Sequence, residues 1–383
     1  MLLNKFEIKL NFKYYNRKGI NMAERLKDIF FTKKSVKTFA DIIQRYYTDF
    51  DKKRFINLVF DETFETKEIK EKMSHATQCL YKTLPKSYKK ALSILKKAAP
   101  YVKGFEALSL PDYVALYGKN DWELSLPALA HFTQYVTSEL AIRPFLDKDP
   151  EKVLAYISVW AEDDNPKIRR LASEGCRPRL PWAMALPKFK KDPSPILPIL
   201  EKLKNDESEN IRRSVANNLN DISKDNPGVV LDVCERWYGQ SSNTDKIVKH
   251  ACRSMLKAGD ERALAIFGYS DLSSIKVDNL KLHEKIINIG DKLFFSFDLT
   301  IKEKSKVRLE YAVFFVKAKG QLSKKAFKIT ENNYNPGKYP ISRGHSFEDM
   351  STRKHFAGKH HISIIVNGIE MAKTSFELKE KND

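Results

Sequence analysis

The twenty residues DDNPKIRRLASEGCRPRLPW, positions 163–182, decide the fold. Asn165 followed by Pro166 reads as a helix start. The Asn side chain can accept from a free amide of the first turn, and proline at the first helical position gives up an N–H that would have had no partner. Ile168, Leu171, Ala172 and Gly175 then fall at i, i+3, i+4 and i+7, a narrow stripe that faces a core. Arg170, Glu174 and Arg177 follow at spacings of four and three, which stacks them on one face of the same helix or its frayed end. The chain leaves through Arg177-Pro178-Arg179-Leu180-Pro181-Trp182. The two prolines fix their own φ and restrict the residue before each, so two guanidiniums and an indole ride on a semi-rigid, non-helical strap.

The same helix start recurs downstream. Asn165-Pro-Lys-Ile168, Ser208-Glu-Asn-Ile211 and Thr244-Asp-Lys-Ile247 each place a capping residue three positions before an isoleucine, with basic residues following. The intervals are 43 and then 36 residues, the length of a helix pair in a HEAT-type array. From about Arg25 to Tyr269 apolar residues return at three and four, as in Phe39, Ile42, Ile43, Tyr46 and Tyr47, and in Leu92, Ile94, Leu95 and Ala98. The expected architecture is an all-α HEAT-like solenoid over residues 22–272.

After Leu272 the period changes to two. Leu293, Phe295, Phe297 and Leu299 alternate, as do Val307, Leu309, Tyr311, Val313 and Phe315, then Phe327 and Ile329, and finally Ile362, Ile364 and Val366. Asn367-Gly368 between two such runs signals a hairpin. Short strands with basic loops predict an all-β, immunoglobulin-like sandwich over residues 278–383, without the Cys–Trp–Cys core of antibody domains. Residues 1–21 are basic and asparagine-rich. Met22 reads as the true start with upstream sequence translated before it; a short ordered arm is the other reading.

Charge narrows the function. The 383 residues carry 68 Lys+Arg against 49 Asp+Glu, a formal charge of +19, which draws a polyanion from a distance, nucleic acid before anionic membrane. Arg169, Arg170, Arg177, Arg179, Arg212, Arg213, Lys246, Lys249 and Arg253 sit at repeated positions and are expected to form a cationic track for phosphates. The bland alternative is a solvated face whose arginines serve packing between repeats. The four cysteines are scattered, which fits a reducing, cytosolic compartment. No apolar run approaches the length of about eighteen residues that a membrane helix needs. The sequence contains no GxxxxGK[ST], GxGxxG or HExxH, and its eight histidines show no metal spacing, so neither a metal nor a cofactor is called for. His360-His361 falls on a strand, pointing to opposite faces. Cys176 beside Arg177 reads as a buried structural thiol.

The acids are the puzzle. Glu139, in TQYVTSELAIRPF, lies one repeat ahead of Glu174, and SVANNLND places Asp221 four residues beyond Asn217 on one helical face. Arg143, four after Glu139, is spaced to pair with it, which is the bland reading of that acid. Carboxylates in a cationic groove repel phosphate, so either they fix the arginines by ion pairs or the target is itself positive. Among the tryptophans, Trp122, Trp160 and Trp237 read as core and Trp182 as near the surface, where an indole face attracts cations.

SEGCRPRLPW, TSELAIRPF and SVANNLNDISKDNP together resemble the AlkC branch of the HEAT-like alkylpurine DNA glycosylases, relatives of AlkD, over about residues 22–269. An immunoglobulin-like C-terminal domain also occurs in that branch. The resemblance implies excision of cationic N3-alkylated bases, chiefly 3-methyladenine and also 3-methylcytosine, from alkylated double-stranded DNA, without flipping the lesion into a deep pocket. It carries a catalytic role onto Glu139, Glu174, Trp182 and Asp221. Arg143, Arg169, Arg170, Arg177, Arg179, Arg212, Arg213, Lys249 and Arg253 become the expected DNA contacts, with Arg177 and Arg179 first for flanking phosphates. A monomer acting without strand cleavage is expected, its β-domain reaching the duplex through basic loops around 317–325 and 353–359. The competing class is a non-enzymatic HEAT scaffold for nucleic acid or an acidic protein.

Overall fold

In a computed structural model the described residues are 30–269, 272–349 and 354–381. Met22 and the reading of the start that depends on it lie outside them, as does Arg353. The described part holds sixteen α-helices, from Lys33–Tyr46 to Glu261–Ile266, followed by eight strands. None of these helices is long and apolar enough to cross a membrane.

The chain groups into two compact units. The first takes residues 30–226 and Gly239–Ala251. Its helices form for local reasons that repeat. In Lys33–Tyr46, Thr32 caps the first turn by accepting from the Ser35 amide, and Val36, Phe39, Ala40, Ile42 and Ile43 make the buried stripe. In Pro166–Gly175, Asn165 caps by accepting from the Lys167 amide, with Ile168, Leu171, Ala172 and Gly175 buried as the spacing predicts. That helix packs on Glu209–Ile222, and Glu209–Ile222 packs on Ser242–Ala251. The third repeat begins earlier than its sequence suggests. Ser241 and Thr244 bond each other's amides across the first turn, at 3.0 and 3.1 Å, so Ser241 is the cap and Thr244 lies inside the helix.

The second unit holds the helices Pro227–Trp237, Arg253–Ala258 and Glu261–Ile266 together with the strands. The strands are β1 (Ile275–Leu282), β2 (Ile286–Asn288), β3 (Lys292–Ile301), β4 (Ser305–Val316), β5 (Leu322–Tyr334), β6 (Gly337–Ser346), β7 (Gly358–Val366) and β8 (Ile369–Lys379). They make two sheets, β1-β3-β6 and β2-β8-β7-β4-β5, with Leu293, Phe295, Phe297, Leu299, Val307, Leu309, Ile362 and Ile364 buried in one core. The strand region begins at Ile275, slightly ahead of the expected residue 278, and β6 is not visible as an alternating run. β6 carries Pro340, which a sheet accepts here because β6 is an edge strand.

Asn367 and Gly368 have φ of 48° and 82°, the two positive values a type I′ turn requires, and they join β7 to β8. The turn also sits against the end of the Arg253–Ala258 helix. A Cβ on Gly368 would lie 2.3 Å from the Cα of Gly259. Gly368→Ala must therefore push two backbones apart. Overpacking costs about 1–3 kcal/mol, with about 1–2 kcal/mol more from the left-handed φ. Urea unfolding of the variant against the parent measures the loss, and an unchanged midpoint would refute the close approach.

Candidate active site

The strap after the Pro166–Gly175 helix is a closed loop. The Leu186 amide donates to the Pro178 carbonyl at 3.0 Å, bringing its ends together, and Leu180 and Leu186 are buried beneath it. At its tip the Ala183 amide donates to the Leu180 carbonyl at 3.3 Å. Pro181 takes the first central position of this turn, which its fixed φ suits. Trp182 takes the second with φ of 68°, a value that favours glycine or asparagine. The left-handed conformation costs a residue with a Cβ about 1–2 kcal/mol, and here it holds the indole out, 54% exposed. Its nearest recorded aromatic neighbour is Phe105, centroids 6.4 Å apart, and Phe105 packs in turn on Phe30 at 4.3 Å.

The three acids converge on one ion-pair chain. Glu139 accepts from Arg170 Nη1 at 2.9 Å, and Arg170 Nη2 lies 3.7 Å from Glu174 Oε1. Glu174 Oε1 also accepts from Arg177 Nη1 at 2.6 Å. Arg177 turns its Nε and Nη2 to Asp221 Oδ2, at 2.8 and 2.7 Å. Lys224 closes the row on Asp221 Oδ1 at 3.0 Å. Three negative and three positive groups thus alternate, in a chain whose overall charge is strongly positive. Burial pushes the Arg177 pKa down, but the Glu174 and Asp221 carboxylates outweigh it and hold it above the ordinary arginine value.

A polar layer backs this row. Ser214 Oγ donates to Glu174 Oε2 at 2.5 Å, and Ser173 Oγ donates to Ser214 Oγ at 2.7 Å. Asn218 reaches the Ser173 carbonyl at 2.9 Å and the Cys176 sulfur at 3.4 Å. Cys176 is fully buried, and burial pushes its thiol up to about 12, as befits a structural thiol. The sequence reading did not single out Ser214. Its signal was the repeat, because Ile211-Arg-Arg-Ser214 puts a hydroxyl where Ile168-Arg-Arg-Leu171 has a core leucine.

Several expected roles change. Arg143, expected as a partner of Glu139 and as a DNA contact, pairs with neither carboxylate nor solvent here and is wholly buried. Its Nε donates to the Met184 carbonyl at 2.6 Å and its Nη1 to the Gly175 carbonyl at 3.0 Å, and burial lowers its pKa to about 10. Arg177, expected first among the phosphate clamps, is instead 7% exposed and held by two carboxylates. Arg169 and Arg212 do the same job one repeat apart. Arg169 Nη1 bonds the Asp163 and Asp164 carbonyls at 2.9 and 3.0 Å, and Arg212 Nη1 bonds the Asp206 and Glu207 carbonyls at 2.5 and 2.9 Å. Arg169 also grips Asp206 in the next repeat at 2.7 Å. These two arginines staple interhelical loops, which was the bland alternative.

The track that remains at the surface is shorter. Arg170 is about one-third exposed, and Arg179 is bidentate on Asp225 at 3.0 and 2.6 Å. Arg213 is exposed and bonds Asn210, Lys249 is exposed, and Arg253 is half-buried. Asn217 bonds His250 at 2.8 Å and not Asp221. Of the tryptophans expected in the core, Trp160 and Trp237 are buried. Trp122 is half-buried, its indole donating to the Lys119 carbonyl at 2.7 Å.

Residues 196–225 match the HEAT repeat, and residues 276–380 match a family described as the C-terminal Ig-like domain of uncharacterised protein YhaZ. The chain is 50% identical over 327 residues to uncharacterized protein YhaZ of Bacillus subtilis (strain 168), which covers 85% of this chain and 92% of that protein. It is also similar to the Pseudomonas fluorescens alkylpurine DNA glycosylase AlkC, solved bound to DNA containing an abasic site analog. The TM-score is 0.86 and the identity 36%, over 92% of this chain and 99% of that one. With the HEAT-like helices, the Ig-like sandwich and more than a third of the residues shared across nearly the whole length, the chain belongs to the AlkC family of alkylpurine DNA glycosylases.

Proposed function

We propose that this protein hydrolyses the N-glycosidic bond of cationic N3-alkylated bases in double-stranded DNA, 3-methyladenine and 3-methylcytosine, without strand cleavage. The observation that carries this reading is the convergence of Glu139, Glu174 and Asp221 on one ion-pair row, buried at Glu174 and Asp221. N3-alkylated adenine already bears a positive charge and leaves readily. As it departs, positive charge moves onto the deoxyribose as an oxocarbenium ion. Carboxylates fixed in advance stabilise that charge by their field, at no reorganisation cost in the transition state. Arg170, the row's accessible arginine, bridges Glu139 and Glu174; a DNA phosphate that draws it away leaves both carboxylates more negative toward the sugar. One of them then orients or deprotonates the attacking water. The exposed Trp182 indole presents its face to the same cationic species. Lys224, the lysine of this row, is engaged with Asp221.

Base release from methylated DNA, resolving 3-methyladenine from 7-methylguanine, tests the reading. Release of the cationic N3 adduct with intact abasic strands supports it. Strand breaks without alkali and a borohydride-trapped adduct overturn the monofunctional part. Tight binding with no base released from any alkylated DNA favours the scaffold, which the complete ion-pairing of the acids in the free protein also fits.

Two variants separate the parts. Trp182→Gly gives the turn the residue its φ favours while deleting the indole. Thermal stability is expected to hold, whereas base release falls about 30-fold, the equivalent of a desolvated cation–π contact of about 2 kcal/mol. A parallel loss of stability would assign the indole to folding alone. Arg179→Ala removes the strap's exposed guanidinium. The slope of log affinity against log salt is expected to drop by about 0.9, one phosphate contact, with the melting temperature unchanged. An unaltered slope removes Arg179 from the interface.

A further inference from the structure

Arg143 is a cation with no exposed surface and, among the described residues, no carboxylate partner. Burying such a charge is costly, and its Nη2 has no hydrogen-bond partner among the described residues. What the guanidinium does is join two carbonyls. One belongs to Gly175, directly after Glu174 at the end of the acid-bearing helix. The other belongs to Met184, two residues beyond Trp182 on the strap. The planar fork of one side chain thereby fixes the tip of the strap relative to the helix end, across a turn whose Trp182 backbone is strained.

We infer that Arg143 is a positioning residue for the reaction, acting through Trp182 by setting its place relative to Glu174 without touching DNA. The inference rests on the glycosylase reading above. Misplacement of a reacting group by about 1 Å costs about 100-fold in rate, so loosening the strap slows base release while leaving affinity for DNA alone.

The test is a double-mutant cycle on single-turnover base release. Arg143→Lys keeps the charge and loses the fork. Its release rate is expected to fall about 10- to 30-fold with Trp182 present, at most what loss of the indole itself costs, with DNA affinity unchanged. In the Trp182→Ala background the same change is expected to cost little further, because the group being positioned is gone. Since loss of a core arginine can unfold the chain, a second variant leaves Arg143 in place. Ala185→lactic acid turns the Met184 carbonyl from an amide into an ester, a weaker acceptor, and is expected to show the same dependence on Trp182. Equal losses in both backgrounds, or a loss explained by folded fraction or by DNA affinity, overturn the inference. If the unaltered protein releases no base, the glycosylase reading itself falls, which is a distinct result.

Discussion

Glu174→Gln is expected to slow base release by about 100- to 1000-fold, the cost of removing one aimed electrostatic group from a transition state. The substitution is nearly isosteric. The amide oxygen can still accept from Arg177, and its NH2 can donate to Ser214, which rotates to accept. Affinity for the same methylated DNA is expected to hold or rise, since a negative charge leaves a surface that receives phosphates. The measurement pairs single-turnover release with equilibrium binding. A variant that binds and releases like the parent moves the decisive negative charge to Glu139 or Asp221, whose amide variants are then compared in the same assay.

Arg177→Met is expected to destabilise the protein by about 3–5 kcal/mol, because it leaves two buried carboxylates without their shared partner. Urea unfolding reads this directly. The cause can be checked in the same experiment, since adding Glu174→Gln and Asp221→Asn to Arg177→Met removes the uncompensated charges and should restore part of the loss. The salt dependence of DNA binding, measured on the folded fraction, is expected to stay where it is. A surface phosphate clamp would give the opposite pattern, a shallower slope with little change in stability. Arg177 and Arg179, two residues apart on the strap, should therefore respond in opposite ways.

That contrast shows where the sequence is legible. Helix starts, core stripes and the hairpin at Asn367-Gly368 follow from short-range rules, and the structure places them accordingly. Spacing also groups Arg170, Glu174 and Arg177 correctly, because three- and four-residue neighbours meet on any helix. Spacing cannot say which side of a repeat faces solvent. Arg143, Arg169, Arg177 and Arg212 look like further members of a phosphate track, yet each is turned inward or onto a loop by partners 3 to 44 residues away. Arg177 could not be recognised as the shared partner of two acids until Glu209–Ile222 was packed on Pro166–Gly175. β6 escaped notice for a different reason, being an edge strand with Pro340 whose inward side carries Tyr339 and Ile341 but then the polar His345, so no apolar alternation marks it.

The division of the chain has a consequence for how the molecule comes apart. Residues 30–226 belong to one compact unit, Pro227–Tyr238 to the other, Gly239–Ala251 to the first again, and the remainder to the second. The polypeptide thus passes from one to the other three times, and no single scission yields two intact halves. A protease cut where helices give way to strands would part three helices from the strands of their own compact unit. Boundaries chosen by secondary structure alone cut through one compact unit, not between two.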